Sequence, residues 1–208
     1  SYVFSCIFTK NNHKNISAIF IIDLITGDSK LQKIKRLADL IEKSSLSFAF
    51  YKLFETKFFM FYLKLMKYIK KTNITKIEDL GKFYEIPVYF YENVNDTKFI
   101  NKINEIDEAA FSIFTIGQIV KKDTLENLHT YPINCHGSYL PEMKGPAQYI
   151  WYFVNNLNYF GVTFHKISPQ IDSGEILHQN KFDIPNGISS FVLHYLIAKK
   201  WGEEIQNL

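Results

Sequence analysis

From about residue 76 onward, short runs of β-branched and aromatic residues alternate with stretches of helical periodicity, and this alternation leaves few folds open. A strand followed by a helix and another strand pairs in parallel with its predecessor, so repeated units build a mainly parallel sheet with helices on both faces. The pattern predicts helices over about 76–84 and 96–106 and strands over 86–91, 110–116 and 131–136. A loop with Gly and Pro over 137–146 leads to a helix over 147–155, strands over 160–167 and 176–184 separated by a turn over 168–174, and a terminal helix over 189–205. The start is less regular. Strand-like runs over 2–8 and 16–22 flank the polar stretch 10–15, Gly27-Asp28-Ser29 supplies a break and an N-cap for a helix over about 30–43, and a longer helix is expected over 47–71. The expected fold class is α/β, a single Rossmann-like domain over 1–208 with helices on both faces of a mostly parallel sheet.

The 208 residues suit one such domain, which would bury about 70% of its unfolded surface. A net charge of +3 is too weak to argue for nucleic acid on its own, and no nucleic acid partner is expected. Arg36 stands alone beside 23 lysines, a bias that reads most simply as AT-rich coding. Cys6 and Cys135 make neither a disulfide framework nor a thiolate metal site, which points to a reducing, cytoplasmic setting. Lys52, Glu55, Lys57, Lys64 and Lys67 interrupt the most apolar region, so stable membrane insertion is not expected, and the N-terminus has no signal-peptide pattern.

Two segments carry chemistry. One runs Asn134-Cys135-His136-Gly137-Ser138-Tyr139-Leu140-Pro141-Glu142-Met143-Lys144-Gly145; the other is Gly161-Val162-Thr163-Phe164-His165 followed by Asp172-Ser173-Gly174-Glu175-Ile176. In an open parallel sheet, reactive groups gather at the carboxyl ends of the strands. Asn134 and His136 are two apart at such an end and share a face, and Asp172 lies in a turn that can converge on them. An amide, an imidazole and a carboxylate suit acyl transfer to an amine: an oxyanion is held, a proton leaves the attacking nitrogen, and the carboxylate orients the imidazole and raises its pKa. The amine is itself the nucleophile.

The combined pattern N-x-H-x-S-x-L-P-x-x-K-G, then G-V-T-x-H-x6-D-x-G-x-I, resembles the signature of the folate-dependent formyltransferases, a family acting on glycinamide ribonucleotide, methionyl-tRNA and nucleotide-linked amino sugars. The match spans about 134–176, and similarity in the order of elements extends back to about residue 86, through Phe114-Thr115-Ile116-Gly117. The resemblance implies formyl transfer from 10-formyltetrahydrofolate to a primary amine, without metal. Asn134 and His136 would stabilise the oxyanion, and Asp172 would support His136 and the proton relay. It places the folate against Ile116, Gly117 and Gln118 and against the 168–171 backbone, which includes Ser168 and Ile171. Tyr139 departs from the leucine usual in the family at that packing position. The short separation of the first two strands leaves no G-x-G run near the N-terminus for a ribonucleotide phosphate, and no C-terminal tRNA-binding domain follows within the chain. Trp151, entering the helix after Gly145, resembles the amino-sugar branch. A small-molecule amine, carried on a sugar nucleotide, is therefore the expected substrate, with glycinamide ribonucleotide the alternative acceptor and a non-catalytic scaffold the alternative class.

Other residues have plainer readings. His165 fits the motif but lies within a strand, so support is expected of it rather than proton transfer; His13, His129, His178 and His194 show no partner pattern. Cys135 is expected in the core, Ser138 and Thr163 bonded to loop backbone, and Gly145 and Gly161 in turns. In the 47–71 helix, Phe54, Phe58, Phe61, Leu65 and Tyr68 form an apolar stripe. Core packing is its first reading, a homodimer face the second and a membrane-surface helix the third.

Overall fold

The computed structural model describes residues 16–22, 77–106, 111–115 and 118–208, together with 46, 47, 50, 54, 57, 58, 61 and 65. The strand expected over 2–8 and the helix over 30–43 lie outside the described residues. Strand β1 (Ile19–Ile22) pairs in parallel with β2 (Val88–Tyr91), with helix α1 (Ile77–Tyr84) preceding β2. Alternation along β1 sends Ile19 and Ile21 toward Ile77 and Leu80 of α1. Phe20 and Ile22 go the other way, toward Phe99 and Ile103 of helix α2 (Thr97–Asn104), so helices cover both faces. Asp96 caps α2, its side chain accepting the Lys98 N–H at 2.8 Å.

Strand β3 (Phe111–Phe114) is followed by helix α3 (Lys122–Asn127) and by β4 (Tyr131–His136), which pairs with β3 in parallel. Helix α3 is absent from the sequence reading because its six residues carry no apolar stripe. A side chain from outside the crossover organises its start: Asn95 Oδ1 accepts from the Lys121 N–H and the Thr124 hydroxyl, both at 2.8 Å. After β4 come helix α4 (Gln148–Val154), β5 (Tyr159–Lys166), β6 (Ile176–Asp183) and helix α5 (Ser190–Glu204). The α/β class is as read from the sequence. Pairing differs in the second half, where β5 runs antiparallel to both β4 and β6. The seven residues of α4 and the turn after them return the chain beside the end of β4, and the link from β5 to β6 is too short for a crossover.

Helices α4 and α5 cover one face of this sheet, burying Ile133, Cys135, Phe160, Val162, Phe164 and Trp201 together. The opposite face of β5 carries the 137–146 loop. A Cβ on Gly161 would lie 2.3 Å from the Tyr139 nitrogen, so this glycine serves a close approach within a strand rather than the turn expected from the sequence. Thr163 donates to Ser138 O (2.7 Å) and accepts from Leu140 N (3.2 Å). The Tyr152 hydroxyl donates to Gly137 O at 3.2 Å and accepts from Gly161 N at 2.7 Å; burial pushes its phenol up to about 12. Among the described residues no helix is long and apolar enough to cross a membrane.

Gly161→Ala should therefore destabilise the protein by about 1–3 kcal/mol, because the loop backbone has no side-chain freedom with which to yield. Urea unfolding midpoints of variant and parent check this; equal midpoints would show that the loop moves aside.

Candidate active site

Because Ile133 and Cys135 face the helices, Asn134 and His136 face the loop side of β4, at the strand's carboxyl end. Register does the rest. Asn134 stands opposite His165 and His136 opposite Thr163 across the β4–β5 pair. Asp172, in the loop joining β5 to β6, has the left-handed φ of +45° and turns its carboxylate back toward the pair. Its Oδ2 accepts the Gly145 N–H at 2.8 Å and stands 3.4 Å from His136 Nδ1, while its Oδ1 lies 3.6 Å from His165 Nε2.

Hydrogen-bond logic assigns the tautomers. His136 Nε2 lies 3.1 Å from the Met143 carbonyl, which can only accept, so Nε2 carries a proton. Nδ1 then faces both a donor, Gln148 Nε2 at 3.3 Å, and an acceptor, Asp172 Oδ2. The amide favours the neutral ring and the carboxylate favours the cation. Burial, the stronger influence, holds the His136 pKa below its ordinary value against the opposing charge of Asp172 and the Met143 carbonyl. His165 Nδ1 donates to Lys166 O at 2.9 Å, and its Nε2 lies 3.2 Å from Asn134 Nδ2. An Asn134 N–H makes a longer contact, 3.5 Å, to Asp172 Oδ1.

For Asp172, burial pushes the carboxyl up, yet the His165 contact, the Gly145 N–H and the charge of both imidazoles together bring it below the usual carboxylate range. Its contribution to stability is present above its unfolded pKa of about 4 and disappears as pH falls through the lower folded value. The cluster thus offers a weakly held N–H of Asn134, an imidazole that burial biases toward its neutral form against the charge of Asp172, and a carboxylate that stays ionised. Those are the parts needed to hold a developing oxyanion and to move a proton.

The other sequence candidates are placed differently. Ile116 and Gly117 lie outside the described residues. Gln118 donates to Glu92 O (2.8 Å) and accepts from Val94 N (3.0 Å), so its amide ties down the loop after β2. The Ser168 hydroxyl donates to Gln170 O at 2.9 Å, and the Ile171 side chain is 58% exposed just before Asp172. Sequence reasoning missed Gln148, whose amide reaches the Gly145 carbonyl as well as His136. It also missed the contact of His165 with Asp172. Membership of His165 in the motif was visible, whereas its pairing opposite Asn134 depends on register. An open cleft of about 870 Å³ lies apart from these residues, beside α2 and α3; Asn95 and Asn104 on its wall bond to neighbouring backbone.

The formyl transferase family model matches residues 70–196, more than half of the chain and all of the cluster just described. The chain belongs to the formyl transferase family. Among the relatives of this formyl transferase chain, methionyl-tRNA formyltransferase of Clostridioides difficile (strain 630) is 29% identical over 125 residues, which are 60% of this chain and 40% of that protein. The bifunctional polymyxin resistance protein ArnA of Wigglesworthia glossinidia brevipalpis is 31% identical over 101 residues, 49% of this chain and 15% of that protein. The chain thus matches less than half the length of each. In fold it is similar to the crystal structure of phosphoribosylglycinamide formyltransferase from Anaplasma phagocytophilum, with a TM-score of 0.55 and 19% identity, covering 61% of this chain and 63% of that one.

The opposed influences on His136 predict that its imidazole titrates below the ordinary value of about 6.5, and lower still in Asp172→Asn, which removes the main charge favouring the cation. Histidine NMR titration checks this. An unchanged or raised value in the variant would show that the carboxylate does not act on His136.

Proposed function

We propose that this formyl transferase chain is a catalytic domain that moves a formyl group from 10-formyltetrahydrofolate to the primary amine of a nucleotide-linked amino sugar. The observation that carries the reading is the convergence of Asn134, His136 and Asp172 at the carboxyl end of β4, inside the stretch matched by the family. The folate would supply the activated formyl carbon. Asn134 Nδ2 would give up its long contact to Asp172 and donate to the formyl oxygen. His136 would add a second donor through a ring N–H as negative charge grows on that oxygen; in its neutral form it would take up the proton that the attacking amine loses, and in its charged form it would pass a proton on. Asp172 would steady the cation, held by the Gly145 N–H on one side and facing His165 on the other.

The residues around the trio fit such a donor. A pterin needs a flat apolar surface and backbone partners, and the 168–171 loop offers the exposed Ile171 beside main chain leading directly to Asp172. Gln118 would shape that pocket by fixing the loop after β2 rather than by touching the ligand. On the acceptor side, Trp151 lies one turn beyond Gln148 on α4 and is 50% exposed, an indole face available for stacking on a base or sugar. Lys144 lies beside the site, its ammonium 2.6 Å from the Ser173 hydroxyl, and can meet an acceptor phosphate as a point charge.

The test is an acceptor panel, comprising nucleotide-linked amino sugars, glycinamide ribonucleotide and methionyl-tRNA, assayed with 10-formyltetrahydrofolate and read by mass spectrometry. Formylation of an amino-sugar nucleotide with the highest kcat/KM is expected. Preference for glycinamide ribonucleotide would overturn the acceptor assignment, and no folate-dependent product with any amine would overturn the activity.

A further inference from the structure

Between residues 46 and 65 every described residue is α-helical, and Leu46, Phe50, Phe54, Phe58, Phe61 and Leu65 are between 44% and 68% exposed. Their spacing of four, four, four, three and four residues places them on one helix face. The Phe54 and Phe58 rings stack at 6.0 Å, so the face is continuous there. Core packing, the first reading of this stripe from sequence, does not account for side chains this open. A contiguous apolar face of this kind marks a surface with a partner.

Charge decides which partner fits. Residues 46–71 hold six lysines and one glutamate, net +5, in a chain whose total is +3, so the remaining residues sum to −2. A second copy of the chain would bring the same positive segment against itself. An anionic lipid surface offers the opposite sign together with an apolar layer for the phenyl rings. Lys57 is exposed within the same turns as Phe54, Phe58 and Phe61, where its stem can run along the phenyl groups while its ammonium reaches headgroup depth. Lysines at 52, 57, 64 and 67 leave no uncharged run long enough to span a bilayer.

We propose that this aromatic helix face, carried on a segment of net charge +5, adsorbs in the plane of an anionic membrane surface. Binding of this kind is independent of the formyl-transfer site, none of whose described residues lies on the face.

Flotation of the purified protein with phosphatidylcholine vesicles, with and without phosphatidylglycerol, tests the proposal. Binding to the phosphatidylglycerol vesicles is expected, weakened by added salt and about tenfold or more weaker in the double variant Phe54→Glu/Phe58→Glu. The single variant Lys57→Gln should weaken it about fivefold. Urea midpoints should match the parent, since the replaced side chains are exposed. Equal or absent binding to the two vesicle types would overturn the proposal. So would a concentration-dependent dimer, seen by sedimentation, that the double variant dissolves without any vesicle binding.

Discussion

One carboxylate holds the candidate site together. Asp172 sits on a β-hairpin connection, yet its two oxygens meet groups from β4, from the 137–146 loop and from β5: the Asn134 amide, the His136 ring, the Gly145 N–H and the His165 ring. A largely buried negative charge is costly unless donors such as the Asn134 amide and the Gly145 N–H face it, so the charge that supports the chemistry also requires these segments to stay in register. The backbone at Asp172 is left-handed, and its carboxylate faces inward. Replacing the charge would therefore affect both the proton equilibrium of His136 and the docking of the loop.

The loop has a second set of restraints on its other side. Thr163, Tyr152 and Gln179 bond to its backbone, and Gly161 removes the side chain that would hold it away from β5. Trp201 of α5 donates to the His136 carbonyl at 3.1 Å, fixing the end of β4 from the core side. The imidazole is thus set by β4, the loop and α4 together, a rigid arrangement suited to a reaction in which charge appears briefly on one oxygen. Gln148 and Asp172 meet the same ring nitrogen with opposite preferences, which leaves the protonation of His136 open to change when a substrate displaces either one.

Much of this was legible in the sequence because it is local. The β4 strand over 131–136 and the close spacing of Asn134 and His136 follow from periodicity, and the motif reaching Asp172 was visible through its resemblance to a family signature. The antiparallel course of β5 was not legible, because a helix between two strands usually signals a crossover, and the shortness of α4 shows only when its packing is known. The same register sets His165 against Asn134 and brings it to Asp172, so its place in the cluster is a tertiary fact. Helix α3 escaped for a related reason, since Asn95 organises its start from across the fold. The stripe through Phe54, Phe58, Phe61 and Leu65 was visible as apolar spacing, Tyr68 of the same reading lies outside the described residues, and the exposure of the stripe and its extension to Leu46 and Phe50 required the structure.

The central claim is that Asn134, His136 and Asp172 act on the transferred formyl group. The most direct measurement is the steady-state rate of formyl transfer by Asn134→Ala, His136→Ala and Asp172→Asn variants that retain the parent's folate-analogue affinity. Each should lower kcat by about 10²–10⁴ with little change in KM, the mark of groups whose interactions strengthen in the transition state. Turnover at the parent rate by any of the three would contradict the account.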